Sequence, residues 1–416
     1  MSETDTADSW RALMPGESTP TMPGLVVVKD NIDVAGRRTT AGSGLLQHTA
    51  AATRDAAVVT RLRTGGFTIG PKANMHEFAL GSTGVNPTFG TVLNPQAIGR
   101  IAGGSSSGTA AAVAGGISQL GLGTDTGGSV RVPASLTGTA GFRPTTGRYE
   151  SAGVVPLSRS RDTVGTMATS VRGLVALDAA LARTGRRDPR TVTERPAPDA
   201  LRLGVPGEFF VEGLDLPTQT AWDWALGALR EHGVTLVELD VHRLAATEAQ
   251  LGSVVTCYEA AADLVPYLLQ RTGVVDTRAL TTGIASPDVR ALLEERVVPG
   301  APDAISTSAY ANAMRLVERL RADYSATLET QSLTGLIFPT TPEVAAPIER
   351  LDKSEFHKMI RNTVPGSLAA SPGVTVPIPM QELPVGFALD GRPGDDVGVL
   401  GAALTIESVL RDFAIA

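Results

Sequence analysis

Leu25-Val26-Val27-Val28 is an unbroken apolar run that stops abruptly at a lysine. A run this short and this apolar is the mark of a buried strand rather than a helix. Helix is expected next over Asp55–Thr64, where Val58, Val59 and Leu62 share one face and Gly65-Gly66 ends it. Phe67–Gly70 then reads as a second strand. This β–α–β rhythm calls for a sheet whose strands are covered by helices. The pattern continues downstream. Strands are expected at Leu120–Leu122, Leu201–Val205, Thr235–Leu239, Leu336–Phe338, Val374–Ile378 and Val385–Leu389. Helices are expected over Thr109–Ala114, Val171–Ala182 with Ser170 as N-cap, Thr218–Glu231, Ser286–Arg296 with Pro287 in the first turn, Ser308–Thr327 and Asp395–Leu410. Arg186–Ala200 reads as a surface connection.

A length of 416 residues suggests two or three domains at roughly 150 residues each, although an α/β enzyme can use it as one unit. The apolar and charged fractions, 42% and 19%, fit a globular fold. The net charge of −7 argues against a nucleic-acid partner. The single cysteine, Cys257, can form neither an internal disulfide nor a metal site by itself. The acidic N-terminus does not read as a secretory signal, and glycines and serines break the apolar-rich stretch 101–123, so it does not read as a membrane span. A cytoplasmic protein is expected. Only four lysines occur, Lys29, Lys72, Lys353 and Lys358. Each merits scrutiny, because a buried lysine can lose its proton and an arginine effectively cannot.

Three segments carry chemistry. The first is Lys29-Asp30-Asn31. Burial at a strand end would lower the Lys29 pKa and make it a base near neutrality, or the lysine could simply snorkel to solvent. The second is Gly103-Gly104-Ser105-Ser106-Ser107-Gly108. It lacks the Gly-Lys-Ser/Thr of a phosphate-binding loop. It contains Gly-x-Ser-x-Gly, which would make Ser106 the nucleophile of a hydrolase elbow, but no good strand precedes it. The third is Gly123-Thr124-Asp125-Thr126-Gly127-Gly128-Ser129. Here successive backbone N–H groups end in a serine, a plausible oxyanion site with its own nucleophile, or a plain glycine-rich turn.

In this order, together with Arg131, Pro133 and Gly141-Phe142-Arg143-Pro144-Thr145, these segments resemble the amidase signature hydrolases. Ser105 and Ser129 lie 24 positions apart, the spacing of that family. The resemblance is strong over residues 24–171 and weaker at Leu201–Glu212, Phe338–Pro342 and Pro372–Ala403. It implies an α/β fold with a large, mixed, twisted sheet covered by helices on both faces. Residues 1–22 would be an arm and 23–416 one domain, with its catalytic core at about 24–180 and a substrate-channel and helical remainder at about 181–416. The resemblance further implies catalytic residues Lys29, Ser105 and Ser129, with a cis peptide bond at Gly104–Ser105. Backbone N–H groups of Thr126, Gly127, Gly128 and Ser129 would hold the oxyanion, and Ser106, Asp125 and Arg131 would support them. No metal or cofactor is implied.

Arg143–Tyr149, Arg161-Asp162-Thr163, Ile284–Val289 and Pro384-Val385-Gly386 look like the branch with indoleacetamide and mandelamide hydrolases. That branch implies a primary carboxamide of an aryl-acetic type acid as the small-molecule substrate. Met75 to Gly81 matches the stretch that lines the family's acyl pocket, so Met75, Leu80 and Gly81 are candidate substrate contacts, while Met75 and Leu80 also suit ordinary core. His76 is expected to hydrogen-bond locally. Only about 23 residues precede the Lys29 strand, where many relatives carry a longer helical segment. A homodimer is an assembly the resemblance allows. The family also includes the A-type component of the glutamyl-tRNA amidotransferase, which generates ammonia within a complex and is the alternative reading.

Overall fold

The computed structural model describes residues 10–17, 22, 24–182, 195–241, 244, 248–351, 355–379 and 383–415. Ten strands join in one sheet: β1 (Leu25–Lys29), β2 (Thr68–Ala73), β3 (Leu120–Asp125), β4 (Ala140–Arg143), β5 (Thr163–Ala168), β6 (Arg202–Pro206), β7 (Thr235–Leu239), β8 (Gly335–Pro339), β9 (Gly373–Pro377) and β10 (Gly386–Asp390). Their spatial order is β2-β1-β3-β5-β4-β9-β10-β8-β6-β7. The sheet is mixed. β1 runs parallel to β2 and β3, and β6 parallel to β7 and β8, while the central strands pair antiparallel.

Alternation along the strands sends side chains to two different cores. Val26 and Val28 pack with α1 (Ala57–Thr64), α4 (Val171–Leu181), α5 (Leu216–Glu231) and α11 (Asp396–Ile415), whereas Val27 packs with α2 (Ser107–Ala114). Farther along the sheet, Leu336 and Phe338 face α3 (Arg131–Thr137), α9 (Thr307–Thr330) and a short helix, α10 (Val364–Leu368), while Ile337 between them faces the first core. Helices therefore cover both faces, as an all-apolar strand requires. A third apolar cluster joins Phe78 and Leu157 to α6 (Glu248–Ala262), α7 (Leu264–Thr272) and α8 (Pro287–Leu292).

Several elements depart from the sequence reading. β4 and β5 were not expected, because Gly141, Gly165 and two threonines, Thr163 and Thr166, dilute their apolar alternation; both are buried between neighbours regardless. The stretch expected as one helix over Ser286–Arg296 is α8 followed by a wider π turn at Leu293–Val297. Ser170 and Ser286 occupy N-cap positions, yet neither side chain caps its helix. Glutamates serve the backbone there instead: Val171 N–H donates to Glu407 at 2.8 Å and Ser286 N–H to Glu77 at 2.7 Å. Within the expected arm, Ala12 and Met14 are buried and Leu13 bridges Ala73 on the free edge of β2. The rest of residues 1–22 apart from 10–17 and Met22, and most of Arg186–Ala200, lie outside the described residues.

Candidate active site

Val26 to Val28 align with Leu120 to Leu122, so β1 and β3 deliver Lys29 and Thr124 at the same, C-terminal end of adjacent strands. Alternation places Lys29 on the Val27 face, the face covered by α2. Ser105 and Ser106 lie just before that helix. The result is a buried contact: Lys29 Nζ donates to Ser105 Oγ at 2.7 Å and to Thr124 Oγ1 at 2.8 Å. Asn31 donates to the same Thr124 hydroxyl at 3.0 Å. The Gly104–Ser105 peptide bond is cis, and the Ser105 carbonyl accepts the His76 N–H at 3.2 Å.

Ser106 faces a different task. It is fully buried, and its hydroxyl touches both the N–H and the carbonyl of Thr124 at 3.3 Å. A serine clamped to the backbone in this way has no open side for a substrate, and residues 96–100 form no strand before it, so the elbow arrangement is absent. The Ser106 N–H donates to the Ser129 carbonyl at 3.2 Å, which joins the Ser105 turn to the Ser129 turn. Ser129 retains slight exposure, and its hydroxyl holds no hydrogen bond among the described residues.

The Ser129 turn is held from behind by Asp125. Gly128 N–H donates to Asp125 Oδ1 at 2.9 Å and Val130 N–H to Oδ2 at 3.2 Å. The Gly128 N–H is therefore already engaged by a side chain. Gly128 is nonetheless obligatory. Its φ of 137° lies in the glycine region, and a Cβ there would sit 2.1 Å from Thr363 Oγ1. Arg131 grips Asp125 from two nitrogens, at 3.1 and 3.2 Å, and Arg143 adds a third contact at 3.0 Å.

Burial strips solvent from the Lys29 ammonium and brings its pKa from 10.5 down to about 7, against the pull of Asp125 and Asp162 in the other direction. Asp125 behaves oppositely. Burial alone would raise its pKa, but Arg131 and Arg143 overcome that and hold the carboxyl well below its ordinary range. Asp162, whose pKa is raised by burial, accepts the Thr126 hydroxyl at 2.6 Å and the N–H groups of Leu157 and Ser158 at 2.8 Å.

A family model described as Amidase matches residues 2–400. The chain belongs to the amidase family. It is 35% identical to a mandelamide hydrolase of Pseudomonas putida, over 92% of this chain and 78% of that one. It is also 35% identical to an indoleacetamide hydrolase of Pseudomonas savastanoi, over 95% and 85%. The solved structure of the native peptide amidase from Stenotrophomonas maltophilia superposes with a TM-score of 0.77 at 27% identity, covering 93% of this chain and 82% of that one. The protein is thus an enzyme that hydrolyses amides.

In this amidase the acyl-side candidates occupy three different settings. Met75 is fully buried, and a Cβ on Gly42 would come within 3.0 Å of its Cγ. Leu80 is half-buried against the Phe78 cluster. Gly81 lies under the His76 ring, where a Cβ would sit 2.1 Å from Nε2. His76 Nδ1 lies 3.4 Å from the hydroxyl of nearby Thr83, while Nε2 lies 3.2 Å from the carboxylate of Asp288, far away in the chain. The sequence reading assigned no role to Thr124, Asn31, Arg143 or Asp162, although all four fall within the motif segments. A cleft of about 560 Å³ between α5 and the ends of β6 and β7 shares no residue with the Lys29 site. Among the described residues no His, Cys, Asp and Glu cluster could hold a metal ion, and no helix is long and apolar enough to cross a membrane.

Proposed function

We propose that Ser129 is the nucleophile, Ser105 the proton relay and neutral Lys29 the base of amide hydrolysis through an acyl-serine intermediate. One observation carries this reading: a dry Lys29 amine, balanced between its two protonation states near neutral pH, 2.7 Å from the Ser105 hydroxyl. A contact of that length serves proton movement in either direction. Ser105 passes its proton to Lys29 as it takes the proton of Ser129, and Ser129 Oγ bonds to the amide carbon. The N–H groups of Thr126, Gly127 and Ser129 receive the oxyanion, each typically worth about 2.7–4 kcal/mol to such a transition state. The proton returns from Lys29 through Ser105 to the leaving nitrogen, and the C–N bond breaks. Water then adds to the ester by the same relay, which frees the carboxylate and restores Ser129. Ser106, Asp125 and Arg131 hold the two turns in place.

The proposed substrates are primary carboxamides of aryl-acetic type acids, on the strength of 35% identity to the mandelamide and indoleacetamide hydrolases. A cytoplasmic location belongs to the same proposal; the lone cysteine, Cys257, is buried and unpaired and needs no oxidising compartment. The test is ammonia release by the isolated chain across primary amides, from acetamide through phenylacetamide and mandelamide to indoleacetamide. Turnover of aryl-acetamides without a partner is expected, with a loss of at least about 10³-fold in Ser129→Ala at unchanged thermal stability. Retained turnover in Ser129→Ala would refute the assignment of the nucleophile. Activity that appeared only with a partner protein would favour the amidotransferase reading.

A further inference from the structure

Behind the Ser129 turn lies a second layer of charge that the proposed chemistry does not use. Asp390 ends β10 and is completely buried. Its Oδ1 lies 3.5 Å from Arg131 Nη1, on the side of the guanidinium away from Asp125. Its Oδ2 accepts the hydroxyl of Tyr324, a fully buried tyrosine of α9, at 3.2 Å. Two glycines make room for the carboxylate: a Cβ on Gly366 would sit 1.9 Å from Oδ2, and one on Gly373 2.3 Å from Oδ1. Such close backbone approach from helix α10 and from the start of β9 shows a site shaped around the carboxylate.

We propose that Asp390, backed by Tyr324, is a positioning residue for amide hydrolysis: its ionised carboxylate braces Arg131 and, through Arg131 and Asp125, fixes the turn that carries Thr126, Gly127 and Ser129. The chain of contacts is continuous from Tyr324 to the Gly128 N–H. Charge gives the same answer. Arg131 and Arg143 are balanced by Asp125 and Asp390 only while both carboxylates are ionised. The titratable and charged groups facing Asp390 are Arg131, Tyr324, Arg143 and Asp125. Burial raises the Asp390 pKa to about 6, with Arg131, the Tyr324 hydroxyl and Arg143 opposing it. Asp390 therefore takes up a proton just below neutrality, and Arg131 then loses its carboxylate partner on that side. A turn displaced by about 1 Å costs on the order of 10²-fold in rate.

This inference rests on Lys29 as the base, and the two ideas have separate signatures. With Lys29 required neutral and Asp390 favoured ionised, log kcat/KM falls with unit slope between pH 7 and 6 and more steeply, towards a slope of two, below pH 6. The experiment is the profile of the full chain from pH 5 to 8.5, on the primary amide turned over fastest, with circular dichroism at each pH to confirm folding. Asp390→Asn is expected to lower kcat about 10- to 100-fold at pH 8, to leave KM within about threefold, and to show unit slope throughout. Tyr324→Phe removes a bond that favours the ionised form and is expected to move the second break to higher pH, which keeps the test open if Asp390→Asn does not fold. A wild-type profile with unit slope down to pH 5, wild-type kcat in Asp390→Asn at pH 8, or an unmoved break in Tyr324→Phe overturns the proposal. A Lys29→Met enzyme that stayed active would instead sink the base assignment and leave the Asp390 break in place.

Discussion

Thr124→Val tests the Lys29 site through a residue that is not itself part of the proton relay. The substitution conserves shape and removes one hydroxyl. That hydroxyl accepts from Lys29 Nζ at 2.8 Å and from Asn31 Nδ2 at 3.0 Å, and all three groups are buried. A bond donated by a charged group contributes about 1.5–3 kcal/mol and one donated by a neutral group about 0.5–1.5 kcal/mol. The charged form of Lys29 therefore loses roughly 1–1.5 kcal/mol more than the neutral form. At 1.36 kcal/mol per pKa unit this is about one unit downward. The acid limb of kcat/KM, expected near pH 7 from Lys29 in the wild type, should move to about pH 6. The stranded Asn31 amide and Lys29 donor should also reduce unfolding stability by about 2–4 kcal/mol. Ammonia release against pH, beside a urea titration, reads both effects. An acid limb that stays in place or moves upward would show that Lys29 does not govern it.

Lys29→Met should abolish turnover and stabilise the protein. The folded-state pKa is depressed, so wild-type stability rises with pH between about 7 and 10.5; the advantage of the variant is greatest at or below pH 7 and shrinks by an amount on the order of 5 kcal/mol by pH 10.5, readable from urea midpoints. Asp125→Asn leaves the guanidinium groups of Arg131 and Arg143 short of an anion in a dry site and should cost about 3–5 kcal/mol of stability at neutral pH, measured by urea titration; a change below 1 kcal/mol would contradict the buried pairing. Gly81→Ala forces the His76 ring out of its slot and should cost about 1–3 kcal/mol in thermal unfolding, with His76→Ala in the same chain restoring part of the loss.

How far the site could be read from sequence depended on whether a residue acts locally. Lys29 was legible because three valines precede it, and three buried valines leave a strand end as its place. Ser105 and Ser106 were not separable by composition; what distinguishes them is that one meets a lysine and the other the main chain of Thr124. The engagement of the Gly128 N–H was out of reach, because a side chain claims it and no periodicity reports a bond from backbone to side chain. β4 and β5 escaped notice because their burial comes from neighbours on both sides rather than from their own apolar content. Tyr324 and Asp390 were beyond reach, since each acts on Arg131 from a strand or helix about 200 positions or more away in the chain.

That distance has a consequence for how the enzyme can be divided. Residues 24–180 contain every residue proposed to act in the chemistry, and a fragment ending there would look complete by inspection. Yet Arg131 is anchored by the Thr363 carbonyl at 3.1 Å and the Ser367 hydroxyl at 2.7 Å, and Gly127 by the Thr363 hydroxyl at 2.6 Å. Five of the sheet's ten strands also come from beyond residue 200. The segment with the reactive groups is therefore not a transplantable module. A split-enzyme reporter cut between the halves should stay silent until both halves reassemble, and a chimera that exchanges the second half replaces the scaffold of the oxyanion turn along with everything else it brings.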